Sequence, residues 1–176
     1  MPVFELSKEI DNIEGAKPLP EGWYDVRIAT DPTLEPNRAK RDSGDDHPKA
    51  GDNIVLRLRT LSSTPEFNNR MLTLWLPVPS EKDRDRYSMD GQSMEDWKSE
   101  TLVKKCVAFG GRPVGKSVEF NRGMLASVYV IQQIPPGQME PRASIDMNAE
   151  VMPVTPEGEQ LAADFPLDAV ADEVPF

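Results

Sequence analysis

The stretch NIVLRLRTL at residues 53–61 decides the fold, because apolar and polar side chains alternate along it. Alternation with a period of two is typical of a β-strand with one buried face and one solvent-facing side. The inward parity is aliphatic and comprises Ile54, Leu56 and Leu58. The outward parity comprises Val55, Arg57 and Arg59. The pattern therefore predicts a strand that presents two arginines on its outward side.

A second alternating run follows at residues 71–76, MLTLWL. Its leucines share the inward parity, and its outward residues are Met71, Thr73 and Trp75. A turn-rich segment around Pro65 separates the two runs, which predicts an antiparallel hairpin. The outward face of that hairpin would carry Arg57, Arg59, Thr73 and Trp75.

Three further strands and one helix complete the predicted order. Alternating residues predict strands at 23–29, 124–131 and 144–151. The inward residues of the last strand would be Ile145, Met147, Ala149 and Val151. Ser93 with Asp96 three positions later predicts a helix start, and Gly110 predicts its end. Three strands, a helix and two strands follow the order of an OB fold.

The predicted fold class is therefore mainly β, a five-stranded OB-fold barrel with one helix between strands 3 and 4. The 176 residues predict one domain with flanking segments. We expect an N-terminal arm at 1–20, the OB-fold domain at 21–153 and a disordered acidic tail at 154–176. Long loops connect the strands, and the loop at 31–52 is expected to be mobile.

The composition also limits the compartment. The sequence contains no apolar run long enough to span a membrane and no N-terminal signal sequence. Cys106 is the only cysteine, so an internal disulfide is impossible. We therefore expect a cytoplasmic protein that does not contact membranes.

Negative charge is concentrated towards the C-terminus. The formal net charge is −10, and the residues after Arg142 include eight carboxylates but no Lys or Arg. The final positions are Asp172, Glu173, Val174, Pro175 and Phe176. A ring beside two acids predicts docking on a partner protein, with the ring in an apolar pocket and the carboxylates held by Arg or Lys. The alternative is a tail that is acidic for solubility alone.

Cations and aromatic rings on one face are what an unpaired nucleic acid requires, because cations bind its backbone and rings stack on its bases. The predicted hairpin face offers Arg57, Arg59 and Trp75, and the first strand would extend it with Trp23 and Arg27. A second basic region would add phosphate contacts. Its cations are Lys104, Lys105, Arg112, Lys116 and Arg122. The alternative is a merely solubilising surface, with Trp75 closing one end of the barrel.

Residues 110–117, GGRPVGKS, match the phosphate-loop pattern G-x-x-x-x-G-K-[ST]. That loop binds a nucleotide only between a buried strand and a helix, whereas here a helix-like segment precedes it and a β-like segment follows. We therefore predict a basic turn. Asp45, Asp46 and His47 lie in the predicted mobile loop and do not predict a metal site. The sequence shows no catalytic arrangement, so we predict neither an enzyme nor a cofactor.

Over most of residues 18–155, the chain resembles bacteriophage single-stranded DNA-binding proteins of the OB-fold type. The resemblance rests on PEGWY at 20–24, the strand at 53–58, the helix end at Phe109-Gly110 and the Gly115-Lys116 turn. The tip is similar to the acidic Pro-Phe ending of bacterial single-stranded DNA-binding proteins, with Val174 in place of the usual Ile. The resemblance implies a protein that coats single-stranded DNA in phage replication or recombination. Its tail would recruit replication or repair proteins and compete with DNA.

Three other functions fit parts of the sequence. An acidic DNA mimic or host-takeover protein would bind a DNA-processing enzyme instead of DNA. A nucleotide-dependent recombination mediator would use residues 110–117, and a virion component would assemble without DNA. Binding to double-stranded DNA and a homo-oligomeric state both remain open.

Overall fold

The computed structural model describes residues 17–167, so most of the expected N-terminal arm and the tip at 172–176 lie outside the described residues. One antiparallel sheet contains β1 (Gly22–Ile28), β2 (Thr33–Pro36), β3 (Asp52–Leu61), β4 (Met71–Pro77), β5 (Leu125–Gln133) and β6 (Arg142–Ile145). The helices of this part of the chain are α1 (Arg38–Ser43), α2 (Met94–Ala108) and α3 (Pro156–Asp164). The predicted mainly β class is confirmed.

The strands follow the order β2-β3-β1-β5-β6, and β4 pairs with β3. Strands β1 and β2 both pair with β3, β2 with its first half and β1 with its second half. Between residues 17 and 167, no hydrogen-bonded ladder joins β4 to β6, although Cα atoms of these strands approach within 8 Å. The sheet therefore has six strands and is open, and a closed five-stranded barrel is not shown.

The predicted hairpin is confirmed as β3 and β4, which pair in antiparallel register with Arg57 opposite Thr73. Strand alternation places the leucines of both strands inside, where Leu56, Leu58, Leu74 and Leu76 are fully buried. They pack with apolar residues from β1, β5 and α2, among them Val26, Ile28, Leu102, Phe109, Val128 and Val130. This core fixes which side of β3 and β4 faces outward.

Helix α2 begins and ends where the sequence predicts. The Ser93 hydroxyl accepts a hydrogen bond from the Asp96 main-chain N–H at 3.1 Å, which caps the first turn. The chain leaves the helix through Gly110, whose φ of 81° is a left-handed conformation that favours glycine. Buried Asp83 accepts hydrogen bonds from the Lys98 ammonium at 3.0 Å and so anchors the helix to the preceding segment.

The segment 31–52 is more ordered than the predicted mobile loop, because it contains β2 and α1. Asn37 organises it through three hydrogen bonds. Its side-chain oxygen accepts from the main-chain N–H groups of Lys40, at 2.9 Å, and Gly51, at 3.2 Å. Its amide nitrogen donates to the Lys49 carbonyl at 2.8 Å. One side chain thus caps α1 and ties both ends of the segment together.

The predicted length of the last strand is wrong, because the strand predicted at 144–151 is observed as the shorter β6. Strand β6 ends at Ile145, and Asp146 accepts a hydrogen bond from the Asn148 main-chain N–H at 2.9 Å, which turns the chain. Met147 is therefore exposed instead of inward. The chain returns beside β5 only at Met152, which pairs with Ser127.

The segment expected to be a disordered tail from residue 154 instead forms α3 over Pro156–Asp164. Thr155 caps the helix by accepting a hydrogen bond from the Gly158 main-chain N–H at 3.2 Å. An N-cap threonine followed by proline and an acidic first turn is a recognisable helix start. Helix α3 lies against β1 and β3. The folded part of the chain therefore extends well beyond residue 154.

Candidate nucleic-acid interface

The outward residues of the hairpin form a continuous surface, here named the β3–β4 face. It consists of Val55, Arg57 and Arg59 of β3 and Met71, Thr73 and Trp75 of β4. Directly opposite one another are Val55 and Trp75, Arg57 and Thr73, and Arg59 and Met71. Trp75 is 48% exposed, so it does not close the interior. Both arginines and the indole ring therefore share one solvent-facing surface, as the strand parities predict.

Val55 follows the predicted parity but not the predicted exposure, since it is 1% exposed. It lies in the sheet between Trp75 on β4 and Thr33 on β2. Strand β2, which the sequence did not predict, supplies the neighbour on that side. The β3–β4 face is thus buried at Val55, next to β2, whereas the side chain of Arg57 remains accessible to solvent.

Each arginine of the β3–β4 face is partly held by a neighbour. Arg57 donates to the Glu35 carboxylate of β2 at 3.2 Å and to the Thr33 hydroxyl at 3.4 Å. Arg59 donates to the Asn69 carbonyl at 3.2 Å. The Arg57 side chain keeps 41% of its surface exposed, so the ion pair directs this cation without removing it from solvent.

A second aromatic surface lies on β1 and β5. Trp23 is opposite Tyr129 in the sheet, and the two rings meet edge to face with centroids 5.4 Å apart. Trp23 is 52% exposed, as predicted for its outward position. This pair adds a second exposed indole to the side of the sheet that carries Arg59.

The predicted position of Arg27 is wrong. The sequence predicts that Arg27 faces outward at the DNA-binding surface, but its side chain is buried and only 6% exposed. Helix α3 covers it, and its guanidinium donates to the carbonyls of Ala162 and Phe165 at the end of that helix. Burial, and then the nearby positive charge of Arg122, lower the pKa of Arg27. Its Nε has no hydrogen-bond partner among the described residues. Arg27 therefore holds α3 and does not contribute to an open binding surface.

The second basic region is only partly a surface patch. Its exposed cations are Lys104, Arg112, Lys116 and Arg122. Lys105 is 9% exposed, which corrects its predicted role as a free phosphate contact. Burial lowers the pKa of the Lys105 ammonium. Lys104 and Lys105 line a groove beside α2 and residues 147–153 instead of joining the β3–β4 face.

The loop at 110–117 lacks the surroundings of a phosphate loop. Helix α2 precedes it, and the next regular element is β5. Val114 and Ser117 exchange main-chain hydrogen bonds of 3.1 and 3.0 Å, which closes a tight turn around Gly115 and Lys116. The predicted basic turn is confirmed, and no helix begins at the lysine to receive phosphates.

Sequence reasoning missed a cleft of about 800 Å³ beside Met71. Arg70, immediately before β4, and Arg142, at the start of β6, both line it, together with exposed Met139. The Arg70 guanidinium donates to the Lys17 carbonyl at 2.7 Å. Only the approach of β4 to β6 brings positions 70 and 142 together, so no local pattern could have revealed this cleft. It adds cations and a flexible apolar side chain next to the β3–β4 face.

The remaining candidate residues concern metal binding and the single cysteine. No cluster of His, Cys, Asp and Glu side chains in this range could hold a metal ion. His47 accepts a hydrogen bond from the Lys49 main-chain N–H, and Cys106 is buried. No helix of the described segment is both long enough and apolar enough to cross a membrane.

Sequence comparison with known proteins finds no match. No protein-family model matches the chain, and no curated protein matches it in sequence.

Proposed function

We propose that this protein binds single-stranded DNA with little sequence preference through the β3–β4 face. The observation that carries the proposal is the placement of Arg57, Arg59 and half-exposed Trp75 on one solvent-facing surface. The guanidinium groups would contact phosphates, and the indole would stack on a base. Every base has an aromatic face, so this chemistry is independent of sequence.

The neighbouring cleft supports a longer binding path. Arg70 and Arg142 line the cleft that begins at Met71, the β4 residue opposite Arg59. A single DNA strand that runs from Trp75 past Arg59 would enter this cleft and contact Arg70 and Arg142. Trp23 and Tyr129 offer a second stacking position on the same side of the sheet.

We further propose that β1, β3, β4, β5 and β6 correspond to the five strands of an OB fold. Three features support this assignment. The strands pair in the order β4-β3-β1-β5-β6, α2 lies between β4 and β5 in the chain, and β4 approaches β6 within 8 Å between Cα atoms. OB folds bind oligonucleotides on the face of their second and third strands, which here are β3 and β4.

The proposed biological role is coating of single strands during phage DNA replication or recombination. The acidic segment after α3 would recruit replication or repair proteins and would compete with DNA for the cations of the domain. Its carboxylates at Asp168, Asp172 and Glu173 contrast with the basic region around Lys104 and Lys116. Electrostatic competition of this kind weakens as salt screens the charges.

Titration with oligo-dT tests the proposal directly. Tryptophan emission should be quenched on binding, and the logarithm of the affinity should fall linearly with the logarithm of the salt concentration, with a slope of about 0.7 per phosphate neutralised. A duplex of equal length should compete weakly. Absence of both quenching and a gel shift would reject the proposal. If the protein then inhibited a DNA-processing enzyme, the DNA-mimic alternative would be favoured.

A further inference from the structure

A groove of about 640 Å³, here named the α2 groove, runs between α2 and the segment 147–153. Its walls are largely apolar and include Trp97, Val103, Val107, Met147 and Val151. Between 41% and 55% of the surface stays exposed in four of these side chains, those of Trp97, Val103, Val107 and Met147. Large apolar side chains that remain exposed together in a concave surface mark an interaction site.

The length of the α2 groove indicates the shape of its ligand. Three of the exposed side chains, those of Trp97, Val103 and Val107, belong to α2. From Trp97 to Val107 the helix rises about 15 Å, at about 1.5 Å per residue. A partner helix that docks through side chains at positions i, i+4 and i+7 covers about 10 Å, which fits within this length. The α2 groove therefore suits an amphipathic helix better than one isolated side chain.

A buried cation indicates the charge of the ligand. Lys105 lines the groove and is only 9% exposed. Burial lowers the pKa of its ammonium, and no carboxylate among residues 17–167 counteracts that effect. An ammonium removed from water without a counter-charge is unfavourable, so a ligand that brings a carboxylate is favoured. Exposed Lys104 adds a second positive charge, against Glu150 as the acidic residue of the groove.

A nucleic-acid strand fits the α2 groove less well than an acidic helix does. Phosphates are bound by several exposed cations, whereas of the two lysines here only Lys104 is exposed. The apolar walls would instead receive the apolar side of a folded peptide. The α2 groove also shares no lining residue with the β3–β4 face, so a ligand in it leaves that face free.

We propose that the α2 groove binds an acidic amphipathic helix of a second protein. Apolar side chains of that helix would pack on Trp97, Val107 and Met147, and one of its carboxylates would pair with Lys105. The proposal goes beyond DNA binding, because it gives the folded domain a partner site of its own. A molecule bound to DNA through the β3–β4 face would hold this partner at the same time.

NMR titration of the full chain without DNA tests the proposal. The probe is a synthetic helix of about 15 residues, with leucine and phenylalanine on one side and glutamate on the other. The signals of the Trp97 indole, the Val107 amide and the Met147 methyl group should shift until they saturate, whereas that of the Trp75 indole should not move. A probe with glutamine in place of glutamate should bind about tenfold more weakly. Because DNA is absent, the result is independent of whether the protein binds single strands.

The variant Lys105→Met distinguishes a ligand-binding lysine from a structural one. Methionine keeps the apolar part of the side chain without the unpaired charge, so the variant should be at least as stable as wild type in urea unfolding. Its affinity for the glutamate probe should nevertheless fall about tenfold. Lys49→Met, the same change at an exposed lysine outside the groove, should bind this probe as wild type does. Val107→Glu, at an exposed position, should abolish binding, because it sets a like charge against the glutamates.

Several outcomes would overturn the proposal. They include no saturable shift, equal affinity for the two probes, and Lys105→Met that loses stability but not affinity. A severalfold gain in affinity on deletion of residues 168–176 would assign the groove to this chain's own segment. Shifts of the groove signals on dilution of the protein alone would assign it to a second copy, and shifts caused by oligo-dT would assign it to nucleic acid.

Discussion

Asp25 and Thr155 are 130 positions apart in the sequence, yet two hydrogen bonds join them. The Thr155 main-chain N–H donates to one Asp25 carboxylate oxygen at 3.0 Å, and its hydroxyl donates to the other. Two residues further along β1, Arg27 binds the carbonyls at the opposite end of α3. Two outward side chains of one strand thus hold both ends of the helix, and α3 is part of the folded domain.

The close approach of α3 to β1 predicts that Gly158→Ala destabilises the protein. A Cβ at this position would lie 2.5 Å from the Asp25 carboxyl carbon, which is fixed by Thr155. Alanine gains about 1 kcal/mol of helix propensity over glycine, but overpacking costs about 1–3 kcal/mol. We expect a net loss of about 1 kcal/mol in urea unfolding. Gln160→Ala, on the exposed side of α3, is the control, and a Gly158→Ala protein as stable as wild type would contradict the close packing.

Local sequence patterns predicted the elements whose packing depends on their own periodicity. Alternation alone placed Arg57 and Trp75 on one surface, and Ser93 with Gly110 gave both ends of α2. Burial by distant segments could not be predicted in this way. Arg27 has the outward parity, but α3 arrives from more than 130 positions away to cover it.

Some of the features that the sequence analysis missed had a recognisable sequence signal, and others had none. Thr155 followed by Pro156 and Glu157 is a helix-start signal. It was missed because the acidic composition of the segment favoured a prediction of disorder. Asn37 before α1 is a similar N-cap signal inside a segment rich in turn residues. The placement of Arg70 and Arg142 beside the same cleft had no local signal, because it arises only from the approach of β4 and β6.

The half-exposed ring on β4 predicts a large loss of DNA affinity in Trp75→Ala. Stacking of one base contributes about 1–3 kcal/mol, so the affinity for oligo-dT should fall about 5- to 150-fold. Trp75→Phe keeps an aromatic face and should retain most of the affinity. Tyr87→Ala removes a ring that is 67% exposed outside the sheet and should have no effect. Equal losses in Trp75→Ala and Tyr87→Ala would rule out a specific stacking role.

The ion pair between Glu35 and Arg57 predicts that Glu35→Gln tightens binding. Without the carboxylate 3.2 Å from its Nη2, Arg57 keeps its hydrogen bond to Thr33 but loses its counter-charge, so it contacts a phosphate more readily. Exposed ion pairs contribute about 0–1 kcal/mol, so a gain of up to about fivefold is expected at low salt. Glu100→Gln removes the same charge from α2 and serves as the control. An equal gain in both variants would mean that net charge, and not release of Arg57, is responsible.

Buried Asp83 predicts a stability difference that depends on pH. Burial raises the pKa of this carboxyl, but hydrogen bonds from Lys98 and Ser80 outweigh that effect and lower it below its usual value. The ionised form therefore stabilises the fold above the unfolded-state pKa of about 4, and this contribution is lost as pH falls through the lower folded-state pKa. Asp83→Asn should cost about 3 kcal/mol at neutral pH, because it leaves Lys98 unpaired. In urea unfolding, the difference in free energy of unfolding between Asp83→Asn and wild type should become smaller below about pH 4. The exposed variant Asp85→Asn should lose little unfolding free energy at any pH.

Removal of residues 168–176 should tighten DNA binding at low salt, because it takes away three carboxylates that compete with phosphates. The cut belongs after Leu167 and not after Thr155, since the longer deletion also removes α3 and uncovers Arg27. We expect a gain of about two- to tenfold that fades as salt approaches physiological strength. The full-length triple variant Asp168→Asn, Asp172→Asn and Glu173→Gln isolates the charge and should reproduce the gain. If both proteins bind oligo-dT at low salt no more tightly than wild type, the acidic segment does not compete with DNA.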